Sequence, residues 1–196
     1  MIRTLLAASA LALTAPFAFA QSMPMADEVP AHIGPAVGDT FPDFAAVSSD
    51  GTPVTLAELS AANGVVMVFS RSLDWCPFCQ AQSIDLKDAE TPLSGMGWNL
   101  NLITYDAPDV LAAYGVEHEI PYELLSDTGS AMIDEFGLRN TEVPAGSRYD
   151  GIPHPAIIFL SPEGEVLSML REEGFQTRPP VELILETAHT LAEQES

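Results

Sequence analysis

The feature that most narrows the fold of this chain is an apolar run, Val65-Val66-Met67-Val68-Phe69, followed within a few residues by Trp75-Cys76-Pro77-Phe78-Cys79. The run is bounded by Asn63-Gly64 on one side and a polar stretch on the other. That is the pattern of a short strand covered on both faces, as in the centre of a sheet flanked by helices. Pro77 has no N–H to lose at a first helical turn, and Ile84 and Leu86 continue the apolar positions of a helix. The two cysteines therefore fall at a strand-to-helix junction.

This placement has chemical consequences. A thiolate at a helix N-terminus is stabilised by unpaired backbone N–H groups and the positive end of the dipole, so Cys76 is expected to ionise readily and act as nucleophile. Cys79, one turn further on, is placed to attack a mixed disulfide at Cys76 and close the Cys76–Cys79 bond. A chain of this size needs no disulfide to fold, so a purely structural staple is a poor explanation of the pair.

Other segments alternate in type. Residues 98–105 read as a strand in which Leu100, Leu102 and Thr104 alternate with Asn99, Asn101 and Ile103. A helix is expected from Asp109, its cap, to Gly115, its stop. Leu124-Leu125-Ser126 reads as a short strand, with Asp127 or Thr128 capping a helix that carries Met132, Ile133 and Phe136 before Gly137. Residues 156–160 and 165–170 flank Ser161-Pro162-Glu163-Gly164 and predict a hairpin. Pro179-Pro180 opens a last amphipathic helix through Val181, Leu183, Ile184, Leu185 and Ala188. Strands alternating with helices favour an α/β sandwich with a parallel core.

The N-terminus reads differently. Residues 1–20 combine Arg3, an Ala/Leu/Phe run and a terminal Ala18-Phe19-Ala20, the three parts of a secretory signal, which predicts a soluble periplasmic protein. Residues 21–35 read as a flexible arm and 36–194 as one domain. A net charge of −21 argues against nucleic acid or a phospholipid surface as partner. Met23, Met25 and His32 offer soft ligands for cuprous copper, although an unstructured arm is the simpler account.

The Trp75-Cys76-Pro77-Phe78-Cys79 motif after a buried strand resembles the thioredoxin-like superfamily. Val37-Gly38-Asp39-Thr40-Phe41-Pro42-Asp43-Phe44, Asp50-Gly51 and Val54-Thr55-Leu56 resemble the opening of its redoxin branch, the alkyl hydroperoxide reductase and thiol-specific antioxidant proteins. The resemblance implies a three-layer sandwich with a central mixed sheet flanked by helices. It also implies a catalytic set of Cys76, Cys79 and Pro155, supported by Trp75, Pro77, Phe78 and His154, and no cofactor. Pro155, or alternatively Pro153, takes the place of the cis-proline that faces the cysteines in thioredoxin-like proteins, and His154 would then flank the site.

Two departures bear on activity. The Pro-x-x-x-Thr-x-x-Cys motif of peroxiredoxins has Phe69 and Leu73 at its proline and threonine positions. The acidic residue that many thioredoxins carry six positions before the first cysteine is Ser70, which leaves Asp74, Arg71, His154 or water to move protons. The leading expectation is therefore an exported thiol–disulfide oxidoreductase acting on protein thiols or disulfides, with electrons exchanged through a membrane partner. Pro77-Phe78 resembles the Pro-plus-aromatic pairs of oxidants and glutaredoxins, yet the redoxin-like body resembles exported reductases, so oxidant, reductase and isomerase all fit. The alternatives are a peroxiredoxin-like thiol peroxidase and a copper chaperone binding through Cys76, Cys79 and His154.

Overall fold

The computed structural model describes residues 33–41 and 45–194. The expected signal at 1–20 and the copper-ligand candidates Met23, Met25 and His32 lie outside the described residues. So does most of the expected arm, but its last residues belong to the domain: Ile33 packs against the core and the Gly34 N–H donates to the Gly137 carbonyl at 3.1 Å. No helix among the described residues is long and apolar enough to cross a membrane.

Among the described residues, seven strands form one sheet in the order β2-β1-β5-β4-β3-β6-β7. They are β1 Ala45–Ser48, β2 Pro53–Thr55, β3 Gly64–Phe69, β4 Trp98–Thr104, β5 Glu123–Ser126, β6 Ala156–Leu160 and β7 Val166–Leu170. β3 runs parallel to β4 and β4 to β5, whereas β6 lies antiparallel to both β3 and β7. The sheet is therefore mixed, as expected, and the β6–β7 hairpin is present.

The period-two geometry of strands explains the three layers. From β3, Val66 and Val68 enter one core while Val65, Met67 and Phe69 enter the other. The first core is closed by helices α2 (Pro77–Asp85), α3 (Lys87–Gly95), α4 (Pro108–Glu117) and α6 (Val181–Gln194); the second by α1 (Leu56–Leu59) and α5 (Ala131–Glu135). An uninterrupted apolar run is what a strand covered on both sides requires.

Several local expectations shift. β4 does not alternate between buried and exposed positions: only Asn99 is exposed, because helices cover both of its faces. Gly115 does not stop α4, which runs on to Glu117 with Ala107, not Asp109, at its N-cap. Asp127 does serve the start of α5, its carboxylate accepting from the Met132 and Ile133 N–H groups at 3.1 and 2.8 Å.

Candidate active site

The site is built at the C-terminal end of β3. Past Phe69, residues 70–75 turn across the sheet edge, and a buried carboxylate sets their path. Asp106, just beyond β4, accepts the Leu73 N–H at 2.7 Å and the Ser72 and Thr104 hydroxyls at 2.8 and 2.9 Å. Ser72 Oγ in turn accepts the Asp74 and Trp75 N–H groups at 3.1 and 3.3 Å. Burial pushes the Asp106 carboxyl above its usual range, against the lowering effect of these three donors. Gln80 locks the turn from the helix side, its amide donating to the Leu73 carbonyl at 2.8 Å.

Cys76 is the N-cap of α2 and Pro77 its first residue, as the sequence predicts. The two cysteines are joined in a disulfide with a Cα–Cα separation of 5.3 Å. The Cys79 N–H donates to Cys76 Sγ at 3.3 Å, the contact by which a helix terminus favours a thiolate at this sulfur. Cys76 is only 1% exposed and Cys79 not at all. A reagent reaches the sulfurs only if the surrounding side chains shift.

Those side chains form an aromatic and cationic surround. Trp75 donates its indole N–H to Tyr105 Oη at 2.9 Å, and the Tyr105 hydroxyl donates to the Arg148 carbonyl at 2.9 Å. The Trp75 ring stands edge-on to Tyr149 at 4.7 Å between centroids. Phe78 is 38% exposed and meets Phe175 edge-to-face at 5.9 Å. The Arg71 guanidinium lies 4.1 Å from the Phe175 centroid and 5.1 Å from that of Trp75. Arg178 donates from Nη2 to Cys79 Sγ at 3.7 Å and from Nε to Gln82 Oε1 at 3.0 Å.

One expected feature of the site needs correction, the cis bond before Pro155 or Pro153. No peptide bond among the described residues is cis, so the bonds preceding Pro153 and Pro155 are both trans. The His154 N–H donates to the Leu138 carbonyl at 2.7 Å and the Asn140 N–H to the Ile152 carbonyl at 2.9 Å. This bridge holds the segment extended straight into β6, where a trans bond continues the strand. Pro155 still lies at the correct sheet end, one residue before Ala156, which pairs with Phe69. His154 is half-buried and makes no hydrogen bond to either sulfur; burial and the nearby Arg171 charge lower its pKa, opposed by Glu142. The three copper ligands are thus not brought together, and among the described residues no group of three or more His, Cys, Asp or Glu side chains could hold a metal.

Of the groups proposed for proton movement, Asp74 is exposed and Arg71 is half-buried; Ser70, at the position of the missing acid, is buried with no hydrogen-bond partner for its hydroxyl among the described residues. The buried carboxylate nearest the cysteine turn in the hydrogen-bond network is Asp106, which sequence reasoning passed over. Arg178 was missed as well. The sequence marks it only by scarcity, since the whole chain has seven Lys and Arg against 28 Asp and Glu.

Residues 37–169 match the AhpC/TSA family. The chain belongs to the AhpC/TSA family. This AhpC/TSA chain is 24% identical over 156 residues to the putative peroxiredoxin bcp of Haemophilus influenzae, covering 80% of this chain and 97% of the relative. Among solved structures, the thiol peroxidase from Chromobacterium violaceum superposes with a TM-score of 0.66 at 25% identity, over 83% of this chain and 90% of that one. Peroxidoxin BcpB from Mycobacterium tuberculosis gives 0.68 at 21% identity, over 84% and 100%. The thioredoxin-like sandwich and a redox role follow for this AhpC/TSA protein. The expected thiol–disulfide exchange is the less supported of the two enzymatic readings, because the relatives carry the names of peroxidases.

Proposed function

We propose that this protein is a thiol peroxidase that keeps both redox cysteines within one helical turn. The observation that carries the reading is the Cys76–Cys79 disulfide at the N-terminus of α2 in a chain of the AhpC/TSA family. The Cys76 thiolate attacks the terminal oxygen of a hydroperoxide. The O–O bond breaks, Cys76 becomes a sulfenic acid and the alkoxide leaves as an alcohol after taking a proton. The Cys79 thiolate then attacks Cys76 Sγ, the S–S bond forms and hydroxide leaves as water. An external dithiol returns the two electrons. The signal pattern of residues 1–20 supports a periplasmic setting, in which that dithiol is an exported protein or a membrane-held electron donor.

One observation favours thiol–disulfide exchange as a second reading. Leu73, at the position where the resemblance expects a threonine, is 1% exposed and part of the core. No hydroxyl at that position hydrogen-bonds the peroxide. The deciding experiment follows consumption of hydrogen peroxide and of an alkyl hydroperoxide with dithiothreitol as reductant, beside reduction of insulin disulfides, in wild type, Cys76→Ser and Cys79→Ser. Peroxide turnover that vanishes in Cys76→Ser, with sulfenic acid accumulating in Cys79→Ser, supports the peroxidase. Wild-type peroxide consumption no faster than that of Cys76→Ser, together with Cys76-dependent insulin reduction, replaces it with the exchange reading.

A further inference from the structure

Cys79 sits in a setting that opposes its own chemistry. Whether the cycle is driven by peroxide or by disulfide exchange, this sulfur must at some stage carry a negative charge, as leaving group when an external thiol opens the disulfide and as nucleophile when it closes. Yet Cys79 is fully buried in the core that holds Val66, Val68, Leu86 and Phe159. Cys79 is the third residue of α2, and its own N–H points back to Cys76, to Sγ at 3.3 Å and to the carbonyl at 3.0 Å. Burial among apolar groups raises a thiol pKa and makes the thiolate a poor leaving group.

The compensating charge comes from the segment between β7 and α6. Phe175 rests on Phe78, and Arg178 reaches under it to α2. The guanidinium is held by its own segment, donating from Nη1 to the Phe175 carbonyl and to the Thr177 carbonyl at 3.1 Å, and by Gln82, which lies one turn beyond Cys79. With those donors engaged, Nη2 is directed at Cys79 Sγ, 3.7 Å away. Although acidic residues outnumber basic ones fourfold, no described carboxylate forms an ion pair with Arg178. Asp85 lines the same cleft of about 320 Å³ without bonding to it. Burial and the neighbouring Arg71 charge lower the Arg178 pKa to about 10, which leaves it cationic at neutral pH. Arg178 also lies beyond residues 37–169, outside the part of the chain that matches the family.

We infer that Arg178 is a catalytic residue for the disulfide half of the cycle, the cation that receives the Cys79 thiolate. When an external thiolate attacks Cys76 Sγ, a new S–S bond forms to Cys76, the Cys76–Cys79 bond breaks, and its electron pair passes to Cys79 Sγ beside Arg178. A second thiol then displaces the first from Cys76, completing a two-electron reduction and releasing the oxidised external disulfide. In the closing direction the same contact keeps Cys79 ionised and ready to attack. The inference rests on the Cys76–Cys79 cycle and not on peroxide as oxidant.

The test titrates Cys79 alone. In Cys76→Ser, thiolate absorbance near 240 nm reports the remaining cysteine as pH is raised. Adding Arg178→Gln is expected to move that titration up by about 1–3 pH units, the usual effect of removing an adjacent opposite charge, and Arg178→Lys to restore at least half of the shift. In the protein with both cysteines, Arg178→Gln should slow reduction by dithiothreitol roughly tenfold, because a thiol of higher pKa leaves more slowly. An unchanged titration, or a lysine variant that behaves like the glutamine one, overturns the assignment. Should Arg178→Gln fail to fold, the lysine variant decides: titration within half a unit of the Cys76→Ser parent supports the role of charge, and a larger rise refutes it. No peroxide enters the titration, so its outcome is separate from that of the peroxidase reading.

Discussion

Replacing Asp106 by alanine removes the acceptor that shapes the approach to Cys76. Three donors lose their partner: the Leu73 N–H, and the Ser72 and Thr104 hydroxyls. The hydroxyls can rotate toward other acceptors, but the Leu73 N–H is fixed in a buried turn. An unsatisfied buried group of that kind costs about 1–3 kcal/mol, and weaker bonds at the two hydroxyls add about 1 kcal/mol more. The expected loss is about 2–4 kcal/mol, or about 5–15 °C in Tm for a domain of this length. Urea unfolding of the oxidised protein measures it. Asp106→Asn, which keeps one acceptor oxygen, should lose less. The same residue gives a pH signature. Its carboxyl titrates above the ordinary 3.8, chiefly through burial, so the native state binds this proton more tightly than the unfolded chain. The associated stabilisation is complete below the unfolded value and disappears as pH rises through the native one. The advantage of wild type over Asp106→Asn should therefore be largest in acid and shrink toward neutrality. A loss below about 0.5 kcal/mol in Asp106→Ala would refute the view that this carboxylate organises the turn.

Two further substitutions probe the peroxide chemistry and the sheet. Leu73→Thr places a hydroxyl three positions before Cys76. If the missing donor limits peroxide reduction, stopped-flow Trp fluorescence should show a rate at least roughly tenfold faster than wild type, at a cost of about 2–4 kcal/mol from the hole left in the core; an unchanged rate would show that the hydroxyl is not limiting. Gly64 opens β3 at φ +111°, and a Cβ there would fall onto the Leu160 carbonyl oxygen of the paired strand β6. Gly64→Ala should therefore cost about 3 kcal/mol or more in urea unfolding, through backbone strain together with forced separation of the two strands, and a loss under about 1 kcal/mol would show that β3 and β6 separate there at little expense.

Features under the control of local geometry were legible before any fold was known. An apolar run without alternation requires a strand covered on both faces, and β3 divides its side chains between two cores. A proline in the first helical position and a second cysteine three residues after the first place both sulfurs at the start of α2, and β6, β7 and α6 are equally visible from their patterns. Each of these signals acts over a few residues, where periodicity and capping hold. Where packing competes with a local signal, the local signal gives way: Gly115 stays inside α4, Asn101 is buried in β4, and the segment before β6 runs trans through Pro155 because residues 138–140 hold it extended. Which charges meet the redox pair depends on the assembled fold. Asp106 reaches the turn before Cys76 from 33 residues away, and Arg178 reaches Cys79 from 99. No local pattern marks either residue, because those approaches depend on the register of β3 against its neighbours and on where the β7-to-α6 segment crosses α2.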